Sequence, residues 1–273
     1  MKFITQLFFK TKASYFIVRF VARINEAFRY RRSLYERSIA KEKLEVFFSS
    51  QTVQAGLMRG LKYPSLASFG SSLFPKLAGT YENELNASFK KLLLNNYHTI
   101  IDVGSAEGYY AVGLARLFPK THVIAFDIDP KAREMCETMA RINHINNITI
   151  LDNCTSKWFQ KINPQERIFI VCDCEGYERY LFDALNIDRF KNVDLIIELH
   201  PMVEKGVEQY LYDLFVSSHH ISFVSSKDNN RKIFDLDNQY DTFFGLDKLM
   251  VVEEGRPFTM DWLIATAKST LEK

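Results

Sequence analysis

Residues 99–115 read TIIDVGSAEGYYAVGLA. An apolar run of strand character stops at Asp102, crosses Gly104 and Gly108, and resumes with helical spacing. A strand that ends in an acid and a glycine turn, then yields to a helix, opens a β-α unit whose turn faces a ligand. Three ligands suit such a turn: a dinucleotide, a nucleotide phosphate or an adenosyl sulfonium. A phosphate loop needs Gly-Lys-Ser/Thr, and Gly108 is followed by Tyr109 and Tyr110. A dinucleotide fingerprint needs G-x-G-x-x-G, and this turn offers only Gly104 and Gly108. A carboxylate at 102 would repel a pyrophosphate, whereas it suits a cationic sulfonium with an attached ammonium. Gly104 supplies a tight turn and a close backbone approach.

Outward from that unit, strand-like and helical runs alternate. HVIAFD (122–127) precedes DPKAREMCETMARINH (129–144), where Asp129 is placed to cap and Pro130 fits the first turn. Ala132, Met135, Met139 and Ile142 are expected on its buried face. ITIL (148–151), RIFIVCD (167–173) with EGYERYLFDAL, VDLIIELH (193–200) with KGVEQYLYDLF, and ISFVSS (221–226) follow. Nearly unbroken apolar runs joined by helices predict a parallel sheet covered on both faces. Ligands of such sheets bind at the carboxyl ends of the strands. Those ends carry Asp102, Asp127, Asp173, Glu198 and His200. Asp127, 25 residues after Asp102, stands where an acid accepts both ribose hydroxyls.

The chain has 273 residues, long for one compact α/β domain, so a core domain with an added segment is expected. With 47% hydrophobic and 25% charged residues the composition is that of a globular protein. A net charge of +2 gives no sign of a nucleic-acid partner. Cys136, Cys154, Cys172 and Cys174 match no zinc spacing and read as reduced thiols of a cytoplasmic protein. Residues 1–32 hold eight basic residues and one acid, with Phe3, Leu7, Phe8, Phe16, Phe20, Ile24 and Phe28 at roughly helical spacing. The apolar runs are far short of the ~20 residues of a spanning helix. A basic amphipathic helix either lies on an anionic membrane, here its inner face, or packs on its own domain with the basic side in water. The second is the commoner use and is the expectation. Residues 31–48 have helical spacing, and GLKYPSLASFGSSLFPKLAGTYENEL (60–85) reads as loop with a helix starting near Glu82.

IDVGSAEGYYAVGLA, VIAFDIDP, VCDCEGYE and IIELHP, preceded by GTYENEL at 79–85, resemble the successive motifs of FkbM-type S-adenosylmethionine-dependent methyltransferases. The resemblance covers about residues 79 to 203. It implies an α/β, Rossmann-like sheet of seven strands in the order 3-2-1-4-5-7-6, on a domain of residues 79–273. A helical extension, residues 1–78, would stand before it as a cap or surface-binding segment. MDWLIATA (260–267) reads as helix or strand, and that topology favours an antiparallel strand. The resemblance also implies methyl transfer from S-adenosyl-L-methionine to oxygen, on a small-molecule or saccharide acceptor. By position, Asp102 and Gly104 would hold the methionine end of the cofactor, Gly108 closes the turn, and Asp127 takes the ribose. Asn153 and Cys154 fall near the adenine, and Asp173 lies beside the reacting methyl. The middle glycine of wider methyltransferases is Ala106 here, followed by Glu107.

A hydroxyl must lose its proton as the methyl arrives, so a base within reach helps. Asp173, Glu198 and His200 are the candidates. Glu175 is expected to be a first-turn helix acid. No metal is expected; a divalent ion, if used, would take Asp173, Glu198 and His200. The alternative is a non-catalytic cofactor-binding module that docks through its basic N-terminal helix.

Overall fold

The computed structural model describes residues 12–268. Seven strands form one sheet in the order β3-β2-β1-β4-β5-β7-β6. They are β1 Thr99–Val103, β2 His122–Phe126, β3 Ile148–Leu151, β4 Ile168–Cys172, β5 Val193–Leu199, β6 His219–Ser225 and β7 Asp261–Ala267. The first five run parallel, and β7 enters antiparallel between β5 and β6. MDWLIATA is therefore the expected last strand. β4 and β5 are buried along their whole length, whereas β3 and β6 at the edges are half exposed. The uninterrupted apolar runs mark the strands covered on both faces.

The parallel register sets the site. Val103 pairs with Phe126 and with Cys172, and Cys172 pairs with Ile197. One step further along, Gly104, Asp127, Asp173 and Glu198 stand at one level on the carboxyl edge. Gly104 has φ 86, and a Cβ there would lie 1.6 Å from the Asp173 carbonyl oxygen. Only glycine lets the turn after β1 pass that close to the end of β4.

Nine α-helices are described: α1 Lys12–Phe47, α2 Leu73–Ala78, α3 Asn86–Leu92, α4 Tyr109–Leu117, α5 Pro130–Ile142, α6 Glu178–Leu181, α7 Val207–Phe215, α8 Asn229–Phe234 and α9 Leu246–Val252. α5 begins as expected: the Asp129 carboxylate accepts from the Lys131 N–H at 2.8 Å, and Pro130 fills the first turn. Its buried face is Ala132, Cys136, Met139 and Ala140, with Met135 and Ile142 at the margin. α2 departs from the loop reading of residues 60–85. It is only six residues long, too short for a visible period, and Gly79 closes it at φ 81. A 3₁₀ turn at Asn83–Leu85 and then α3 stand where a helix was expected near Glu82. EGYERYLFDAL forms a single turn, α6. The Asp183 carboxylate then accepts from the N–H groups of Leu185 and Asn186, a local turn that ends the helix.

The core does not part at residue 78. Leu44, Phe48, Met58, Leu77, Ile100 and Val112 belong to one packed cluster on one face of the sheet. Phe159, Phe182, Phe190 and Phe215 centre the cluster on the other. α1 joins this core only near its end, where Ala40, Leu44 and Phe48 are buried. From Phe20 to Glu36 every residue is exposed. The expectation that this helix packs along its own domain fails for that stretch. The residues among 1–32 that precede Lys12 lie outside the described ones.

Candidate active site

Three polar groups around the carboxyl ends of β1 and β4 are left unmatched by the fold. Asp102 is 3% exposed and its Oδ2 has no hydrogen-bond partner. Ser105 Oγ and Asp173 Oδ1 are also without partners. Burying such atoms without a partner is costly, and a ligand that supplies donors removes the cost. Burial pushes the Asp102 carboxyl up to about 7, against the Ala111 backbone amide that favours its anion. A cation placed beside it would ionise it. Gly108, at φ 99, caps the N-terminus of α4. Asp127 is half-buried; its Oδ2 accepts from the Ala106 N–H at 2.8 Å and its Oδ1 from the Asp129 N–H at 2.9 Å. Ala106 takes φ 46 in the position where wider methyltransferases have glycine. Asn153 is exposed just past β3. Cys154 turns its thiol into the core cluster of Phe126 and Phe159, so a contact with adenine would have to use its backbone.

At the ends of β4 and β5 a second group of ionisable residues meets. His200 is buried, and its Nδ1 lies 2.8 Å from Glu178 Oε1. Its Nε2 lies 3.5 Å from Asp173 Oδ1 and 3.6 Å from Glu175 Oε2. Glu178 is fully buried and also accepts from the Gly176 N–H. Burial works against its charge, but the His200 contact and backbone donors outweigh it and hold its pKa below the ordinary value. Burial likewise opposes charge on His200 and is outweighed by the hydrogen bond and charge of Glu178, so the imidazole pKa is raised. A carboxylate fixed on Nδ1 selects the Nδ1–H tautomer and leaves Nε2 as the free basic nitrogen.

Asp173 is pushed up to about 7 by burial and by the charges of Glu82 and Glu175. About a third of its side chain still meets water, which screens part of that push. Glu198 is pushed up to about 8 by burial and by the neighbouring Asp173 charge. The two acids titrate as a pair. Glu198 also accepts from Arg256 Nη1. Among the described residues, the carboxylate oxygens that converge with a His200 ring nitrogen are those of Asp173 and Glu175; Glu198, expected with Asp173 and His200 should a divalent ion be used, is not in that group. Glu175 precedes α6 instead of lying in its first turn, in a left-handed conformation at φ 56.

Several participants carried no signal in the sequence. Arg256 joins Glu198, Glu82 (2.5 Å) and Glu254 (2.8 Å) from a loop 58 residues after Glu198. Tyr110 donates to Glu82 at 2.5 Å. Glu178 was visible within the EGYE motif but not as a partner of His200. A depression of about 250 Å³, lined by Lys227, Asp228, Glu254, Arg256 and Phe258, opens beside this cluster. A larger one of about 480 Å³ lies away from it, along α5 and β3.

The strand order with an antiparallel β7 is that of the Rossmann-like methyltransferase fold. No protein-family model matches the chain. Over 85 residues, 31% of this chain, it is 32% identical to the release factor glutamine methyltransferase of Aliivibrio fischeri. That match spans 29% of the curated relative's length. Precorrin-6y C5,15-methyltransferase from Geobacter metallireducens aligns with a TM-score of 0.46 at 14% identity, over 68% of this chain and 88% of that one. An rRNA methylase from Streptococcus thermophilus also aligns with a TM-score of 0.46, at 12% identity over 68% and 97%. These likenesses name different acceptors and select none for this chain.

Proposed function

We propose that the chain is an S-adenosylmethionine-dependent methyltransferase that methylates a hydroxyl oxygen of a saccharide or glycosylated small molecule. The observation that carries the reading is the set of unmatched buried atoms, Asp102 Oδ2, Ser105 Oγ and Asp173 Oδ1, around the left-handed turn at Gly104. These residues fit the cofactor. Asp102 would face its ammonium, Asp127 its ribose, and Asn153 and the Cys154 backbone its adenine. When bound, the cofactor supplies a methyl group activated by the positive sulfur.

The chain's own part is position and proton. Binding both reactants in line supplies much of the rate. The acceptor hydroxyl is weakly acidic, and His200 Nε2, its tautomer set by Glu178, receives its proton as the new bond forms. Asp173, 3.5 Å from that nitrogen, would orient the hydroxyl and stabilise the imidazolium. Glu198 holds the neighbouring proton and keeps Asp173 in place. Acceptor identity rests on the FkbM resemblance and on the polar character of this group.

Calorimetry with S-adenosylhomocysteine tests the cofactor. Binding in the micromolar range is expected, with Asp127→Ala weakening it by about 1.5–3 kcal/mol, the scale for hydrogen bonds to a charged group. Tight binding of NAD with no response to the adenosyl ligand overturns the reading. An acceptor screen on saccharides tests the rest. His200→Ala is expected to lower turnover by ~10²–10⁴ while sparing cofactor affinity. The pH–rate profile should rise through a value above 6.5, since His200 must be neutral to accept and its pKa is raised. Loss of wild-type activity in chelator, with recovery on Mg²⁺ addition, would instead give Asp173, Glu175 and His200 to a metal.

A further inference from the structure

The exposed half of α1 carries a feature that the methyltransferase reading does not use. Phe16 (68% exposed), Phe20 (65%), Ile24 (38%) and Phe28 (69%) follow one another every fourth residue, with Val21 beside them. Four-residue spacing on an α-helix makes one continuous stripe. The same helix buries Ala40 and Leu44 near its other end, with Phe48 buried just past it. At about 100° per residue, Phe20 lies roughly 160° round the helix from Ala40, and Phe28 the same from Leu44. The stripe faces away from the domain that α1 is anchored to. No described residue covers it, and the anchoring face cannot turn to do so without losing its own core contacts.

Charge says what covers it. Between residues 12 and 35 the chain has six basic residues (Lys12, Arg19, Arg23, Arg29, Arg31 and Arg32) and one acid, Glu26. On the helix, Arg19 and Arg23 flank one margin of the stripe; Arg32, on the other, pairs with Glu36 at 2.8 Å. Apolar rings between arginines match the acyl–headgroup boundary of an anionic bilayer: rings enter, and guanidinium groups reach back to phosphate. A second copy of the chain would bring the same positive face and be repelled. A nucleic acid would engage the arginines but leave the phenylalanines in water. No helix among the described residues is long and apolar enough to cross a membrane, so the contact is peripheral. From Tyr15 to Tyr35 the helix runs about 30 Å.

We infer that residues 15–35 form a docking helix for anionic membrane surfaces, lying in the interface through Phe16, Phe20, Ile24 and Phe28. The inference stands apart from the proposed chemistry. The test is co-sedimentation of the full chain with phosphatidylcholine vesicles, with or without roughly a third phosphatidylserine. Binding to the anionic vesicles that weakens with salt is expected. Phe16→Ser with Phe20→Ser should lower it about tenfold or more, and Arg19→Gln with Arg23→Gln should do so comparably. Because all four side chains are exposed, both variants should keep the wild-type melting temperature. No sedimentation with the anionic vesicles overturns the inference. So does binding indifferent to the phenylalanines, tighter association with RNA than with vesicles, or a dimer in which these phenylalanines are protected.

Discussion

Two buried ion clusters, both built from carboxylates and basic side chains, behave in opposite ways. In the first, Lys76 and Glu107 pair at 2.6 Å, both almost wholly buried. Glu107 also accepts from Tyr63 at 3.0 Å, Ser68 at 2.8 Å and the Phe69 N–H at 3.2 Å. Burial opposes its charge, yet these partners hold its pKa below the ordinary value. In the second, four acids (Glu82, Glu84, Glu198 and Glu254) share two bases, Arg256 and Lys232. Burial and mutual repulsion push Glu82 and Glu198 up to about 8. One cation per anion, with hydrogen bonds to spare, fixes a charge; two anions per cation leave protons to be held. The first cluster ties residues 63–76 to the turn after β1. The second lies against Asp173 and His200, where a group able to hold or release a proton near neutral pH has chemical use.

The largest expected effect breaks the matched pair. Lys76→Met leaves Glu107 buried without its cation and should destabilise the protein by about 3–5 kcal/mol in chemical denaturation. Adding Glu107→Gln to that variant should recover a good part of the loss. Arg256→Gln, in the second cluster, should cost less, about 1–3 kcal/mol, because the acids it abandons can protonate. Equal losses for Lys76→Met and Arg256→Gln would show that the clusters do not differ in the way described.

A pH series sharpens the same contrast. For an acid whose folded pKa is raised, the native state holds the proton longer than the unfolded chain, so stability falls as pH rises from the unfolded value to the folded one. With Glu82 and Glu198 near 8 and Asp102 and Asp173 near 7, stability should decline between about pH 5 and 8. His200, also raised, adds to the decline as its proton is lost above 6.5. Glu107 and Glu178, both lowered, act oppositely and only in acid, below about pH 4.5. Thermal melts across pH 5 to 9 would show the slope, and a flat or rising curve would contradict it. The smallest effect is expected of Glu82→Gln. It replaces a group already largely protonated at pH 7, so stability should change by less than about 1 kcal/mol while the slope above pH 7 flattens.

Cofactor affinity should carry its own pH signature. In the proposed binding mode Asp102 would meet the cofactor's ammonium as an anion, and burial holds it near 7, so affinity should fall as pH drops below 7. Asp102→Asn should remove that dependence along with most of the affinity.

Much of the sheet was legible in the chain itself. Strands buried on both faces must be unbroken apolar runs, so TIIDV, IFIVC and VDLIIEL announce themselves. Acids that end such runs mark the ligand edge because a parallel register brings strand ends level. The Asp102–Gly104 turn and the Asp127, Asp173, Glu198 and His200 positions followed from that alone or from the family resemblance. Tertiary structure decided which of them meet. Periodicity states which face a residue takes, not which distant residue it finds there. Nothing local says that Glu178 fixes the His200 tautomer, or that Arg256 claims Glu198 while a left-handed turn brings Glu175 to His200 in its place. α1 shows the same limit. Its stripe of phenylalanines and its arginines can be counted in the sequence, but only the anchoring of Ala40, Leu44 and Phe48 shows that the stripe points away from the core, because that direction depends on which side of the helix the rest of the chain packs against.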